Sequence, residues 1–441
     1  MKKDDYYTQK NTIRKKFMKI TIMLFIFVLL LIGFIGLLFP LRPKVSEVEK
    51  RELTKFPTLT AATFLNGEFF SDISTWYADT FPFRETLSSA NAKVKKLYGI
   101  TTEELHGEAV QGDEIPDPDA EITSTPIPTD TPTPAPGPDG TIHAEPEKAG
   151  QIYIVDNRGF ELYGFSRAGA DAYINMINTV AAQLNGIADI YDILVPTSIA
   201  VNIDAENQAK INSSSQEDTF AYVFGHLDSS IKKVEILDTL KQHNSEYLYF
   251  KTDHHWTADG AYYAYQELMN VKGKTASPLS AYTRQEFDGF VGTFYSYSEM
   301  SDSLKNNPDT VVAYTPSCND MIYIDSKGVE HSWNVIADAS GYAEGSKYYC
   351  FIGGDQPYSR IDNPNITDGS SCVVIKESYG NAFVPFLVNS YQTVHVVDYR
   401  YYTGNLINLV KTNNIQDVIY INNANALIES AAKNMNRILT Q

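Results

Sequence analysis

The chain has 441 residues with 36 basic and 54 acidic side chains, a net charge of −18. That balance argues against nucleic acids and other polyanions as ligands. Three cysteines, Cys318, Cys350 and Cys372, allow one disulfide plus a spare thiol outside the cell, but the odd number fits no disulfide framework.

Residues 1–19 carry a cluster of Lys and Arg and precede Ile20 to Phe39, a run of 20 residues without charge. At about 1.5 Å per residue such a helix spans roughly 30 Å, the hydrocarbon thickness of a bilayer. The basic flank predicts a cytoplasmic tail over 1–19, a transmembrane anchor over 20–39 and an extracellular C-terminal domain, a single-pass arrangement in the cell membrane. A cleaved signal peptide is the second reading. Leu38-Phe39-Pro40-Leu41-Arg42 lacks the small residues a signal peptidase needs.

Residues 45–100 carry clustered aromatics, among them Phe56, Phe69, Phe70, Trp76, Tyr77 and Phe81. These need burial, and fifty-odd residues make a marginal core alone. The expectation is a helical region docking on the main domain, with a membrane-proximal stalk as the alternative. Residues 101–150 read as a Thr/Pro-rich disordered linker, centred on the repeated Thr-Pro of Thr123 to Pro138. Proline removes backbone donors and disfavours helix at the residue before it.

From Gln151 to residue 441 the pattern is that of one elaborated α/β domain. Ile152 to Val155 is strand-like, and Ala170 to Leu184 shows the spacing of an amphipathic helix. Ile190 to Val195 predicts a buried strand, as do Cys372 to Ile375, Thr393 to Val397 and Val418 to Ile421, with helices from about Gly380, over Leu406 to Val410 and over Ala426 to Ile438. Apolar strands alternating with amphipathic helices predict a central, mostly parallel sheet. Residues 278–354 are richer in β-branched and aromatic residues in short runs, including Val311 to Tyr314, Met321 to Ile324 and Tyr348 to Ile352. They predict a β-rich insertion.

Between a strand-like run, Glu246 to Phe250, and a helix-like run, Gly260 to Met269, lies Lys251-Thr252-Asp253-His254-His255-Trp256-Thr257. Histidine is scarce, with 8 in the chain, so an adjacent pair in such a turn invites a chemical reading. On a tight turn an Asp two residues before a His can accept its Nδ1–H and leave Nε2 as a base. The bland reading makes Asp253 a helix cap with the two His packed beside it. Ser378 lies beyond the apolar strand and before the Gly380 helix, where a hydroxyl is exposed beside helix amides; its bland reading is an N-cap. Gly380 and Asn381 are candidates for an oxyanion hole. Arg400, just past a strand end, could hold substrate or pair with Asp398, and Trp256 is a further substrate-side candidate. A metal on Asp253, His254 and His255 is disfavoured because adjacent side chains rarely point at one ion. Gly353-Gly354-Asp355 is too short for a phosphate loop.

Asp253-His254-His255-Trp256 resembles the signature of the DHHW protein family, which is similar to the SGNH-like proteins that O-acetylate alginate. Those show an Asp-Thr-His-Trp version, which matches Asp253 and His255 to the catalytic positions and puts His254 in the variable slot. The resemblance continues at Lys376-Glu377-Ser378-Tyr379, where the family more often has Lys-Asp-Ser-Tyr, and at Asp398-Tyr399-Arg400. It implies an SGNH-hydrolase-like three-layer sandwich and a Ser378–His255–Asp253 triad with no cofactor and no metal. The implied activity is O-acetylation of a cell-envelope polysaccharide, with acyl groups supplied by a membrane-bound O-acyltransferase. An acetylesterase and a non-catalytic glycan-binding scaffold are the alternatives. Because the resemblance flanks the Thr-Pro tract, that tract reads as an insertion within one functional unit.

Overall fold

The computed structural model describes residues 16–28, 30, 42–46, 51–60, 63–64, 68–83, 103–107, 111–118, 120–122, 151–298 and 300–440. The chain divides into two compact units, one of residues 1–47 and 52–90, the other of residues 48–51 and 91–441.

In the first unit, residues 16–28 are helical and solvent-exposed, while residues 31–40 lie outside the described residues. Among the described residues no helix is long and apolar enough to cross a membrane. The aromatic block forms the helix Glu68–Asp79. Its Trp76 is buried edge-on against Phe56, with the Arg42 guanidinium 3.8 Å above the indole. Asp79 Oδ2 accepts from both the amide and the hydroxyl of Thr54 at 2.8 Å.

The second unit is built on an eight-stranded sheet. Its strands in chain order are β1 Asp189–Val195, β2 Lys232–Lys233, β3 Asp320–Ile324, β4 Glu330–Asn334, β5 Tyr358–Asp362, β6 Ser371–Lys376, β7 Thr393–Asp398 and β8 Asp417–Asn423. Across the sheet the order is β4-β3-β5-β7-β6-β8-β1-β2. From β7 to β2 all neighbours are parallel, whereas β5, β3 and β4 add antiparallel strands at one side. Every residue of β6 and β8 is buried, which is why these strands read as continuous apolar runs. Helices α1 Arg167–Leu184, α4 Leu406–Asn413 and α5 Glu429–Thr440 pack together, and α2 Ala258–Val271 packs on α3 Gly380–Leu387. The fold is therefore mixed α/β around one large sheet.

In the 278–354 region Thr283–Phe290 pairs with Asp309–Thr315, while β3 and β4 extend the central sheet. Three expectations are corrected. Tyr348 to Ile352 is not a strand; Glu344–Cys350 forms a 3-10 helix, followed by positive φ at Ile352, Gly353 and Gly354. Short apolar runs carry no period that separates the two. Ile152–Val155 joins a small antiparallel sheet with Glu103–His106 and Arg158–Glu161 rather than the central one. The linker expectation fails at its start: residues 103–106 are that sheet's strand, and Ile115, Ala120 and Ile122 pack on the main core. These scattered apolar side chains suffice because the folded domain already offers a surface. Residues 123–150 lie outside the described residues.

All three cysteines are free thiols, and Cys350 and Cys372 are buried.

Candidate active site

The Asp253–His255 stretch is a reversal of the backbone. Tyr249 bridges Trp256, Phe250 N–H donates to His255 O at 3.2 Å, and Thr257 N–H donates to Leu248 O at 2.8 Å. The strand-like run before it therefore forms a single bridge rather than a sheet strand. Thr257, not Asp253, caps α2, its hydroxyl accepting from Gly260 N–H at 3.3 Å. That leaves the Asp253 carboxylate for other work. Oδ1 accepts from His255 N–H at 3.0 Å and from Nδ1–H of the same residue at 2.6 Å. Oδ2 accepts from the amide of Thr293 at 2.8 Å and its hydroxyl at 3.1 Å. Burial would raise the Asp253 pKa, but the imidazoles of His255 and His254 and the Thr293 amide outweigh it and hold the carboxyl far below the usual range. Gly292 is required here: a Cβ would overlap the Asp253 carboxylate.

Ser378 sits on the sharp passage from β6 into α3. It caps nothing; its Oγ lies 2.8 Å from His255 Nε2. Ser378 is 7% exposed and so is His255. The Tyr348 ring stacks on the His255 imidazole at 4.0 Å with 13° between planes, and its hydroxyl donates to Ser378 O at 3.0 Å. Burial first, then the charges of Glu377, Asp253 and Asp355, raise the Tyr348 pKa well above normal, so the phenol stays a donor. Tyr379 donates from its hydroxyl to His254 O, and Trp256 Nε1–H donates to Tyr379 O at 2.8 Å. Besides the Ser–His contact, the two segments are thus clasped together by two hydrogen bonds, with Tyr348 touching both.

Other candidates are placed differently from the expectation. Trp256 is fully buried in the core, so it positions the Ser378 turn instead of meeting substrate. The Gly380 amide donates to Glu377 O at 3.0 Å and the Asn381 amide to Ser378 O at 3.1 Å. Asn381 Nδ2 donates to Asp355 Oδ1 at 2.8 Å. These oxyanion candidates are committed to closing the turn. Arg400 forms a two-point pair with Asp398, Nε to Oδ1 at 2.9 Å and Nη2 to Oδ2 at 2.7 Å, and reaches Asp355 Oδ2 at 3.1 Å. Lys376, fully buried, joins Asp398 at 2.9 Å and Asp355 at 3.2 Å. Two cations and two carboxylates so make a neutral cluster under the Ser378 turn. Burial opposes ionisation of Asp355, but Arg400, Lys376 and Asn381 hold it charged.

The residues that sequence reasoning missed are Gly292, Thr293, Tyr348 and Asp355. Glu377, left without a role, is now placed: Oε2 accepts from Tyr379 N–H at 3.0 Å and Oε1 from Asn423 N–H at 3.0 Å. It ties the turn to the end of β8. The signal available for Asp355 was its Gly353-Gly354 context, since both glycines have positive φ, as does the β-branched Ile352 before them, a conformation found mostly at constrained sites.

Asp253, His254 and His255 bring ligand atoms within 4.8 Å of one another, so adjacency does not keep them apart. A metal nevertheless fits poorly. Ligand atoms on one tetrahedral zinc stand about 3.4 Å apart, whereas the Asp253 Oδ1 to His255 Nδ1 separation is 2.6 Å, a hydrogen bond. His254 Nδ1 is bonded to Thr293 Oγ1 at 2.7 Å.

The family model of the DHHW protein matches residues 49–125 and 136–397, which include the Asp253 and Lys376 blocks and end just before Asp398. The chain belongs to the DHHW protein family. A DHHW family protein from Eubacterium siraeum is similar in structure, with 28% identity and a TM-score of 0.60 over 66% of this chain and 97% of that one. Bacillus cereus PatB1 with a sulfonyl adduct shares the fold at 23% identity and a TM-score of 0.54, over 64% and 97% of the two chains. The O-acetyltransferase domain of Pseudomonas putida AlgJ is more distant, at 12% identity and a TM-score of 0.35, over 67% and 92%. No curated protein sequence matches. In this DHHW chain the motif's His255 joins Asp253 to Ser378 while His254 faces a neighbouring cavity.

Proposed function

We propose that this protein is a serine-dependent acyltransferase of SGNH-like type that O-acetylates a cell-envelope polysaccharide. The single observation that carries the reading is the line Asp253 Oδ1, His255 Nδ1 and Nε2, Ser378 Oγ, with steps of 2.6 and 2.8 Å. Ser378 Oγ attacks the donor's acyl carbonyl while Nε2 takes its proton. The imidazolium, stabilised by Asp253, returns that proton to the departing donor oxygen, leaving an ester on Ser378. A sugar hydroxyl then attacks the ester, its proton passes to Nε2, and the Ser378 oxygen leaves and recovers the proton. Water in place of the sugar gives the esterase outcome, and the line of three residues serves both. The motif's resemblance to O-acetylation proteins favours transfer. On this reading the basic flank and apolar run over residues 20–39 anchor the protein, its C-terminal domain faces outward, and a membrane-bound O-acyltransferase supplies acyl groups.

Sulfonyl fluorides react with activated hydroxyls, and a sulfonyl adduct is named for PatB1. Incubation of this chain with phenylmethylsulfonyl fluoride, followed by peptide mass mapping, is expected to modify Ser378 and to abolish p-nitrophenyl acetate turnover. Modification elsewhere, or unmodified Ser378 with full turnover, would remove Ser378 as the nucleophile, and unmodified Ser378 with no turnover by the untreated chain would favour the scaffold alternative.

A further inference from the structure

The His255 imidazole is held at both nitrogens, Nδ1 by Asp253 Oδ1 at 2.6 Å and Nε2 by Ser378 Oγ at 2.8 Å. Those two bonds aim the nitrogens but let the ring tip about the line that joins them. Its faces oppose the tipping. The Tyr348 ring lies 4.0 Å away at 13° and the His254 ring 3.8 Å away at 37°. Two rings cannot share one face at those distances, so Tyr348 covers one face and His254 the other. We infer that Tyr348 is a positioning residue for this chemistry, its ring face holding and stabilising the His255 imidazolium while its hydroxyl fixes the backbone of Ser378, an inference that rests on the acyl-transfer reading above.

Tyr348 is itself firmly set. It is buried in the 3-10 helix Glu344–Cys350, whose first carbonyl, Glu344 O, accepts from Val291 N–H at 3.2 Å. Beyond it, Ala337 N–H donates to Cys350 O at 2.9 Å and Ile352 N–H to Val335 O at 2.8 Å. Phe250 and Phe351 meet the Tyr348 ring edge-on, with centroids 6.2 and 5.2 Å away. The hydroxyl donates to Ser378 O at 3.0 Å, an oxygen that also accepts from Asn381 N–H at 3.1 Å. One immobile side chain therefore braces the base by its face and the nucleophile's backbone by its tip.

Both half-reactions pass through an imidazolium at His255. Its burial removes the water that would otherwise solvate that cation. An aromatic face attracts a cation set over it, and more strongly where both are desolvated. Donation to Ser378 O also leaves the phenolic oxygen, and with it the ring, richer in electrons. Other charged and titratable groups act on the same imidazole or its partner. Asp253 is bonded to it, Asp355 acts on it through space, and Glu377 stands 3.3 Å from Ser378 Oγ. Lys376 and Arg400 pair with Asp355, while the His254 and Tyr379 rings flank His255. All of these stay in place when the ring of residue 348 alone is altered.

The test alters residue 348 in the full chain, in detergent, and follows kcat/KM for p-nitrophenyl acetate, which reports the barrier to acylating Ser378. Tyr348→Phe keeps the ring and leaves Ser378 O with the Asn381 bond, so kcat/KM is expected to fall about fivefold. Tyr348→Leu removes the face as well and should bring the loss to about fiftyfold. Fluorination then separates electrostatics from packing, because each fluorine drains the ring face while nearly keeping its size. Phenylalanines bearing one, two and three ring fluorines, placed at position 348 by nonsense suppression, should lower log kcat/KM step by step. The last should stand about tenfold below Tyr348→Phe, with melting temperatures unchanged across the series. Equal kcat/KM for Tyr348→Phe and the three fluorinated chains would overturn the proposal and leave the ring a packing group. So would Tyr348→Leu turning over at the wild-type rate. Absence of any p-nitrophenol release from wild type would instead strike the acyl-transfer reading, which keeps the two failures apart.

Discussion

The Ser378 hydroxyl has two acceptors within reach, and distance ranks them: His255 Nε2 at 2.8 Å and Glu377 Oε2 at 3.3 Å. Glu377 is already occupied by two backbone amides, so the imidazole is the better proton acceptor. Asp253 decides which tautomer that imidazole adopts. Asp253→Asn can present an N–H to Nδ1 and so shift the ring proton to Nε2, where it faces Ser378 uselessly. We expect kcat on an acetyl ester to fall on the order of 10³–10⁴-fold, measured by p-nitrophenol release. The same substitution reads out in stability. The folded Asp253 pKa is depressed, so its contribution is present above the unfolded value, about 3.9, and is lost as pH falls through that value towards the folded one. Melting curves should show wild type losing stability below about pH 4 more steeply than Asp253→Asn; parallel curves would show that Asp253 is not held ionised by its neighbours.

At the scale of elements, much was legible because burial on both faces leaves a plain mark. β1, β6, β7 and β8 follow the apolar runs within a residue or two, and α1 and α2 follow their periodicity. What escaped was polar and non-periodic. Thr293 reaches the site from the first turn of the short helix Thr293–Tyr297 and Asp355 from a loop, each with a partner 40 or 26 residues away, as in Thr293 to Asp253 and Asp355 to Asn381. Nothing in their own neighbourhood announces such contacts. The buried charge at the end of β6 was also silent in sequence. Lys376→Met should leave Asp355 and Asp398 sharing Arg400 alone and cost about 3–5 kcal/mol, the usual penalty for breaking a buried pair, read by urea denaturation. Elsewhere on the sheet, β1 carries Asp192, buried, with one oxygen bonded to Tyr173 at 2.5 Å. Burial pushes its pKa up to about 7, and the Tyr173 hydrogen bond only partly opposes this. A raised carboxyl pKa stabilises the fold fully below the unfolded value and loses that contribution as pH climbs towards 7. Asp192→Asn is therefore expected to raise the melting temperature at pH 8 relative to wild type, with a smaller difference at pH 5. An equal effect at both would show that the group stays ionised.

For the whole molecule, the chain's −18 charge argues against polyanionic partners. The compartment was read from the basic flank and the charge-free run over 20–39, and part of that run, residues 29 and 31–39, lies outside the described residues. If the run is an uncleaved anchor, the mature protein keeps its own N-terminus and sediments with membranes after a carbonate wash. A new N-terminus after about residue 38 would identify a signal peptide instead. The site, by contrast, needs no membrane to be judged, because its parts all lie in the second unit. Its central claim is that Ser378 carries the acyl group. The direct measurement is to quench the chain during turnover of p-nitrophenyl acetate and map the acetylated peptide by mass spectrometry. The account predicts one acetyl group on Ser378, absent in His255→Ala; an acetyl group on another residue, or turnover by Ser378→Ala at the wild-type rate, would contradict it.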